Sequence, residues 1–331
     1  MPLISIVIPC RNEEKHIEKC LTSFINSDFD FNKIEILVCD GMSSDNTRNK
    51  IKAFQSEFKN IKIIDNPLQK TPFALNQGIE NANGEYILIA SAHSSFDQDY
   101  IRTLINKIKE HDCAAVGGIM ITKVLNKNLK SNSIIEVLSN KFGVGNATFR
   151  TGLVNDKEVD TVPFGIYKTS LLKSLNGYDP RLIRNHDIEL SKRILAMGEK
   201  IILTPDTKCY YYARETFNDI AKNNYRNGKW NILTVYITKK FSSLSIRHFI
   251  PLIFVLSLIV PLIIGFLIYA PIAILGGISL IAYLALILKI SISLKKEQNS
   301  IYHLVKSFLV LHLSYGVGSL VGIFKLNYLF K

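Results

Sequence analysis

Three short apolar runs in the first 95 residues each stop at a small, polar, acid- or His-bearing turn: ISIVIPCRNEE from Ile4, IEILVCDGMSSD from Ile34 and EYILIASAH from Glu85. Each run is rich in Ile, Val and Leu, too short for a helix, and followed by helical periodicity, the pattern of buried parallel strands. Ile17, Leu21, Phe24 and Ile25 make one helical stripe; Ile51, Phe54 and Phe58 make another. Ile61–Ile64 predicts a strand, and Thr71-Pro72 opens a helix through Ile79 that ends near Asn83-Gly84. Ile101, Leu104, Ile105 and Ile108 predict a further helix before a strand at Ala114–Met120. This alternation implies right-handed βαβ crossovers and an α/β class. Ligands of open α/β sheets bind at the strands' carboxyl ends, so Asn12, Glu13, Asp40, Asp45, Ser91 and His93 are expected along one sheet edge. Residues 121–160 are less regular, and Lys141–Gly152 reads as a glycine-rich loop. Asp160–Tyr167 resumes as strand, and helical patterning returns at Asp187–Met197 and Asp219–Trp230.

The far end changes the picture. No charged residue occurs from Phe249 to Leu288; as one helix that stretch is roughly 60 Å long, about twice a bilayer's hydrocarbon core, so it reads as two spans broken near Pro271. Ser307–Phe324 is shorter and carries His312, Gly316 and Gly318, and reads as a third span or a re-entrant segment. Lys239, Lys240 and Arg247 precede the first span, while Lys289, Lys295, Lys296 and Lys306 follow the second. The positive-inside rule therefore puts residues 1–245 in the cytoplasm of a multi-pass protein of the inner (plasma) membrane. The expected layout is a domain at 1–230, an interfacial linker at 231–248 and an anchor at 249–331, with spans near 249–269, 272–289 and 307–324.

A net charge of +12 and a pI near 9.3 fit nucleic acid, anionic lipid or a diphosphate substrate. The membrane-flanking lysines account for part of that charge, and no zinc-finger spacing or aromatic-rich basic module supports nucleic acid. Five cysteines without CxxC pairing argue against a disulfide framework or zinc ribbon and fit a reducing compartment. The first apolar stretch runs straight into Arg11–Lys15, unlike a secretory signal.

Asp40-Gly41-Met42-Ser43-Ser44-Asp45 ends a strand and opens a helix. Asp40 can accept from a ribose hydroxyl or base N–H there, while Ser44 or Asp45 can simply cap. Neither a GxGxxG fingerprint nor a P-loop is present. Asp187, at a helix start in Asn185-His186-Asp187-Ile188-Glu189, can cap, or can serve as a general base kept ionised by the helix N-terminus. Trp230 in Arg226-Asn227-Gly228-Lys229-Trp230 reads as an interfacial anchor, or stacks on a sugar while Arg226 faces a diphosphate. Ser91 and His93, two residues apart at a strand end, can face one crevice.

In this order and spacing the motifs resemble the inverting GT-A glycosyltransferases of family 2, in particular the bacterial exopolysaccharide enzymes of succinoglycan-biosynthesis type. IVIPCRNEE, VCDGMSSDNT, NPLQKTPFALNQGIENANGEYIL, FGVGNATFR, VDTVPFGIYKTSLL, NGYDPRLIRNHDIELSKRI and YRNGKW carry the likeness, from Ile4 to about Trp230. The resemblance implies a GT-A (nucleotide-diphospho-sugar transferase) fold, a mostly parallel sheet flanked by helices, with a nucleotide-diphosphate-sugar donor across the strand ends. It implies nucleotide-sugar contacts from Pro9, Asn12, Glu13, Asp40, Asn76, Ser91 and His93, and Asp187 as catalytic base. Glu189, Arg226 and Trp230 are implied to face acceptor or diphosphate, and the acceptor to be a lipid-linked saccharide. The subgroup's Asp-Ala-His reads Ser91-Ala92-His93 here, which puts the usual Mg²⁺ or Mn²⁺ in question. Three arrangements stay open: a weak metal site using His93 and diphosphate oxygens, metal-free stabilisation by Arg or Lys, or a catalytically weakened nucleotide-sugar-binding scaffold.

Overall fold

The fold is built on β1 (Ile4–Cys10) and β2 (Ile34–Asp40), whose side chains are buried on both faces apart from half-buried Pro9. They pair in parallel, from Ile4 opposite Ile34 to Cys10 opposite Asp40. The computed structural model describes residues 2–145 and 147–328. Between these strands α1 (Ile17–Ile25) buries Ile17, Cys20, Leu21 and Phe24 on one face. There follow α2 (Thr47–Glu57), β3 (Ile61–Asp65), α3 (Thr71–Asn81), β4 (Tyr86–Ile89), β5 (Ser94–Phe96), α4 (Tyr100–Glu110) and β6 (Ala115–Lys123). Next come α5 (Leu129–Leu138), α6 (Lys141–Val144), α7 (Thr148–Thr151), β7 (Lys157–Glu158), β8 (Ile166–Lys168), α8 (Thr169–Ser174), α9 (His186–Ala196) and β9 (Ile201–Tyr212). The last helices are α10 (Phe217–Thr238), α11 (Ile250–Leu267), α12 (Ala273–Ser293) and α13 (Ile301–Ile323).

The strand order is β3-β2-β1-β4-β8-β6-β9-β5, with β7 paired to β9. The first four are parallel, as the βαβ alternation predicts, and β8 turns the direction by pairing antiparallel to β4. A proline in a central strand is tolerated because of register. The Val7 carbonyl accepts from Ala90, so odd positions of β1 face β4, and by Pro9 the ladder with β4 has ended at Val7 opposite Ile89.

Two compact units result, one of residues Met1–Ile121 and Thr148–Tyr212, the other of Thr122–Ala147 and Ala213–Lys331. The first holds the sheet, with one apolar core on each face. In the second, α5 begins at a reciprocal cap in which Ser131 N–H donates to Asn128 Oδ1 and Asn128 N–H to Ser131 Oγ, both at 2.9 Å. Among the described residues, three helices are long and apolar enough to cross a membrane: Ile246–Leu267, Ala270–Ser293 and Ile301–Ile323.

Several sequence expectations are corrected. Residues 121–160 contain the regular helix α5. The expected loop at Lys141–Gly152 holds two helical turns, α6 and α7, with Asn146 of the FGVGNATFR motif outside the described residues. The strand expected from Asp160 begins only at Ile166, because Pro163 lacks a donor and Phe164 sits at φ 45°. The third apolar helix starts at Ile301 rather than Ser307, capped by Ser300, whose side chain accepts from His303 N–H.

Candidate active site

Because β3, β2, β1 and β4 are adjacent and parallel, their carboxyl ends bring Asp65, Asp40, Cys10 and Ser91 to one edge of the sheet. The turns after β1 and β2 are laced together. Asn12, held at φ 55°, donates its N–H to Ser43 Oγ at 2.9 Å and accepts from Ser44 N–H at 2.9 Å. Glu13 N–H donates to Thr47 Oγ1 at 2.8 Å, and Asp45 accepts from Thr47 N–H at 3.0 Å and Glu14 N–H at 3.2 Å. Asp45 thus ties the turn after β1 to the start of α2, whose N-cap position is Asn46.

Asp40 is fully buried. Its carboxylate accepts from Ser43 N–H at 3.0 Å, from the Ser43 hydroxyl, and from Arg48 at 2.7 Å. Arg48 also reaches Asp65 at 2.7 Å, bridging the ends of β2 and β3. Three of a carboxylate's roughly four acceptor positions are thus taken within the protein.

At the end of β4, Ser91 Oγ lies 3.2 Å from the His93 ring nitrogens, and His93 Nδ1 lies 3.2 Å from Glu13 Oε1. The His93 side chain is 35% exposed and that of Glu13 23%, so both can meet a ligand. Around them stand His16, 6.5 Å from His93 between ring centroids, and Tyr211, 5.3 Å away. Lys19 lies over the Tyr212 ring at 4.5 Å. Burial lowers the His16 imidazole below its usual value, although Glu13 opposes this. The cluster also contains a residue that motif spacing did not single out: Arg150, on α7, over the Tyr211 ring at 5.4 Å. Tyr211 is thus the common neighbour of His93 and Arg150. The sequence signal for Arg150 is only that it is the cation in the FGVGNATFR motif besides Lys141 before it.

Asp187 lies exposed on the first turn of α9. Asn185 in the left-handed region at φ 60° starts that turn. Ser191 Oγ donates to the Asp187 carbonyl at 2.9 Å and lies within hydrogen-bond distance of the Thr161 hydroxyl at 3.1 Å. Thr161 belongs to the segment that enters β8 beside β4, where Ile89 N–H meets the Gly165 carbonyl at 3.0 Å. Next to Asp187, the half-buried His186 stacks edgewise on Tyr178 at 5.5 Å, its Nδ1 buried without a hydrogen-bond partner. Burial lowers its pKa, which favours neutral imidazole.

Two expected ligand contacts are committed elsewhere. Asn76 forms a reciprocal pair with Tyr178, Nδ2 to the carbonyl and N–H to Oδ1, both at 2.8 Å. It clamps the turn at Gly177, which has φ +64°, and where an added Cβ would fall 2.4 Å from Asn76 Oδ1. Glu189 is buried, its carboxylate gripped by Arg193 at 2.8 and 3.0 Å, while Arg193 also holds the Leu175 and Gly177 carbonyls. Arg226 and Trp230 belong to the second unit, on α10; Arg226 is exposed and Trp230 lies edgewise to Tyr328 at 6.3 Å. Pro9 is half-buried at the end of β1.

For a divalent cation, the ends of β1 and β4 together offer one carboxylate (Glu13), one imidazole (His93) and one hydroxyl (Ser91). This set fits Mn²⁺ if phosphate oxygens complete the shell. A second set, Glu110, His111 and Asp156, has ligand atoms within 4.8 Å of one another. The Lys107 ammonium already sits there, at 2.9 Å from Asp156, 3.1 Å from Asp206 and 3.3 Å from Glu110.

The model of the family "Glycosyl transferase family 2" matches residues 5–173. A Methanococcus voltae protein, "Dolichyl N-acetyl-alpha-D-glucosaminyl phosphate 3-beta-D-2,3-diacetamido-2,3-dideoxy-beta-D-glucuronosyltransferase", is 32% identical over 71% of this chain and 78% of its own. The succinoglycan biosynthesis protein ExoA of Rhizobium meliloti (strain 1021) is 28% identical over 63% of each chain. Among solved structures, the mannosyltransferase PcManGT from Pyrobaculum calidifontis, in complex with GDP-Man and Mn²⁺, superposes with a TM-score of 0.59 at 15% identity, covering 96% of this chain and 87% of its own. That likeness is one of fold, a GT-A-like α/β sheet flanked by helices. With the family model spanning the strand-end turns and a relative above 30% identity, the chain belongs to glycosyl transferase family 2 and is a glycosyltransferase.

Proposed function

We propose that this enzyme moves a sugar, with inversion, from a nucleotide-diphosphate donor to a lipid-linked saccharide during surface polysaccharide assembly, at the cytoplasmic face of the inner membrane. The observation that carries the reading is the cluster of Glu13, Ser91, His93 and Arg150 at the carboxyl edge of the parallel strands, with Asp187 on a helix N-terminus tied to the neighbouring segment. Asn12, Glu13 and Asp40 shape the nucleoside end, and Pro9 ends its floor.

The chemistry is one displacement. The acceptor oxygen attacks the anomeric carbon from the face opposite the diphosphate and gives its proton to Asp187. The bond from carbon to diphosphate oxygen breaks, and the nucleoside diphosphate leaves with the electron pair. An exposed carboxylate suits the first task. The second needs positive charge where negative charge develops, which Arg150, together with Lys19 beside Tyr212, supplies. Glu13 and His93 would hold a divalent cation, which when bound neutralises diphosphate charge. Asn76, Glu189 and Arg193 act on the turn and helix that carry Asp187, positioning it without touching substrate.

The test is transfer by the full-length protein in membranes against a panel of nucleotide sugars. Asp187→Asn is expected to lower turnover by about 10²–10⁴-fold with donor binding retained. Undiminished turnover in that variant removes Asp187 from the mechanism. Wild-type protein that binds a donor but transfers from none would make the chain a scaffold.

A further inference from the structure

The third apolar helix is unlike the other two. From His303 to Ile323 α13 exposes only Val317, whereas α11 and α12 expose large apolar side chains such as Ile263, Phe266, Ile274, Ile278 and Ile281. Protein covers α13. Along it, in the same direction, runs α10, from Phe217 stacked beside His303 to Tyr236, whose hydroxyl donates to the Ile323 carbonyl at 2.8 Å. The two backbones nearly touch: a Cβ on Gly228 would lie 1.9 Å from the Tyr315 carbonyl oxygen, and one on Gly318 2.0 Å from that of Tyr225. Yet α10 bears Lys222, Arg226 and Lys229, the first two exposed. A bilayer around α13 would draw these charges into hydrocarbon, where each is expensive.

Depth gives the same answer independently. α11 and α12 form a hairpin: Gly265 packs on Ala273 near the tip, Ser257 and Ser279 hydroxyls meet at 2.7 Å, and Phe254 lies on Tyr283 at 4.1 Å towards the root. The root meets α13 at Gly316, where a Cβ would fall 2.2 Å from the Pro251 carbonyl oxygen. Residues 317–323, about 10 Å of helix, are all that follow. The earlier part of α13 packs on the end of α12 and on α5, through Tyr283 to His312 at 2.9 Å and a core of Val137, Ile287, Leu304 and Phe308. α13 therefore lies level with the hairpin's root and below it, not beside the hairpin.

We propose that the bilayer is crossed twice, by the α11–α12 hairpin alone, and that α13 stays with α10 on the side from which the hairpin enters. The lipid partner is met by the bare flanks of α11 and α12, and the chain returns at Lys325 to the side it left at Lys240. This holds whatever sugar is transferred.

The variants Lys240→Cys, Lys222→Cys, Tyr269→Cys and Lys325→Cys, each adding one cysteine at an exposed position, would be treated in sealed membrane vesicles with a membrane-impermeant maleimide. The native cysteines are buried and give little background. Lys240→Cys, Lys222→Cys and Lys325→Cys are expected to label from one face and Tyr269→Cys from the other. Loss of Lys325→Cys labelling at the Lys240→Cys face, with its appearance at the opposite face, overturns the proposal. So does Tyr269→Cys labelling at the Lys240→Cys face, or a Lys222→Cys that labels only after detergent. Protease protection of the C-terminal segment in the same vesicles reads the same difference without a substitution in α10 or α13.

Discussion

At the scale of single residues the test case is Arg150. Its guanidinium lies against Tyr211, which also touches His93, so its charge belongs to the strand-end cluster. Truncation to Ala should lower kcat by about 10²–10³-fold, because the charge is most needed as the diphosphate departs. Donor KM should change much less. Lys should restore only part of the rate, since an ammonium neither stacks on Tyr211 nor presents a planar fork. Steady-state kinetics of the three proteins decide it, and a loss confined to KM would make Arg150 a ground-state binding residue instead. Nothing near Arg150 in the chain announces this role, which depends on Tyr211 some sixty residues later. The placement of Asn12, Glu13, Ser91 and His93 at strand ends was legible, because the first two follow β1 and the last two β4 within a few residues. Asn76 and Glu189 were read as ligand contacts for the opposite reason: their partners, Tyr178 and Arg193, depend on tertiary packing and on a side-chain choice that spacing leaves open.

Among elements, those with a one-sided or two-sided apolar pattern could be read directly. β1, β2 and β4, with α1, α2, α3 and α4, follow from Ile/Val/Leu runs and helical stripes. β9 could not, since IILTPDTKCYYY contains Pro205, Asp206 and Lys208, which argue against a strand until its antiparallel neighbours are known. β9 is held to α4 partly through Asp156. This carboxylate receives His111 at 2.8 Å and Lys107 at 2.9 Å. Burial alone would raise the Asp156 carboxyl, but hydrogen bonds from Thr204, Lys107 and His111 bring it from 3.8 to about 2. A folded-state value below the unfolded one stabilises the fold above the unfolded pKa, and the benefit is lost as pH falls through the folded one. Asp156→Asn should therefore cost about 1–3 kcal/mol at pH 7. The gap to wild type should close as pH falls from about 4 towards 2. Thermal unfolding of both proteins across that range measures it, and a gap independent of pH would mean that packing, not charge, ties these elements together.

For the molecule as a whole, the hydropathy of 249–331 fixed that the chain carries membrane-length helices, while the number of crossings depended on what α13 packs against, which hydropathy does not report. The membrane helices also bear on the reaction. A lipid-linked acceptor and an enzyme held by its own helices share a surface, so their encounter depends on acceptor density in that surface rather than on bulk concentration. The donor arrives from water and is insensitive to surface density. In proteoliposomes with fixed total acceptor, adding inert lipid to dilute the acceptor roughly tenfold within the surface should lower turnover by up to about tenfold below saturation. The apparent KM for donor should stay unchanged. A turnover that tracks total acceptor and ignores dilution by lipid would mean the acceptor reaches the site from solution, and the helices would then serve location alone. Retention of the full dilution effect in Asp187→Asn, on its residual rate, would separate the encounter from the chemistry proposed for the carboxylate at the α9 N-terminus: the surface would bring the acceptor in, and that group would act afterwards.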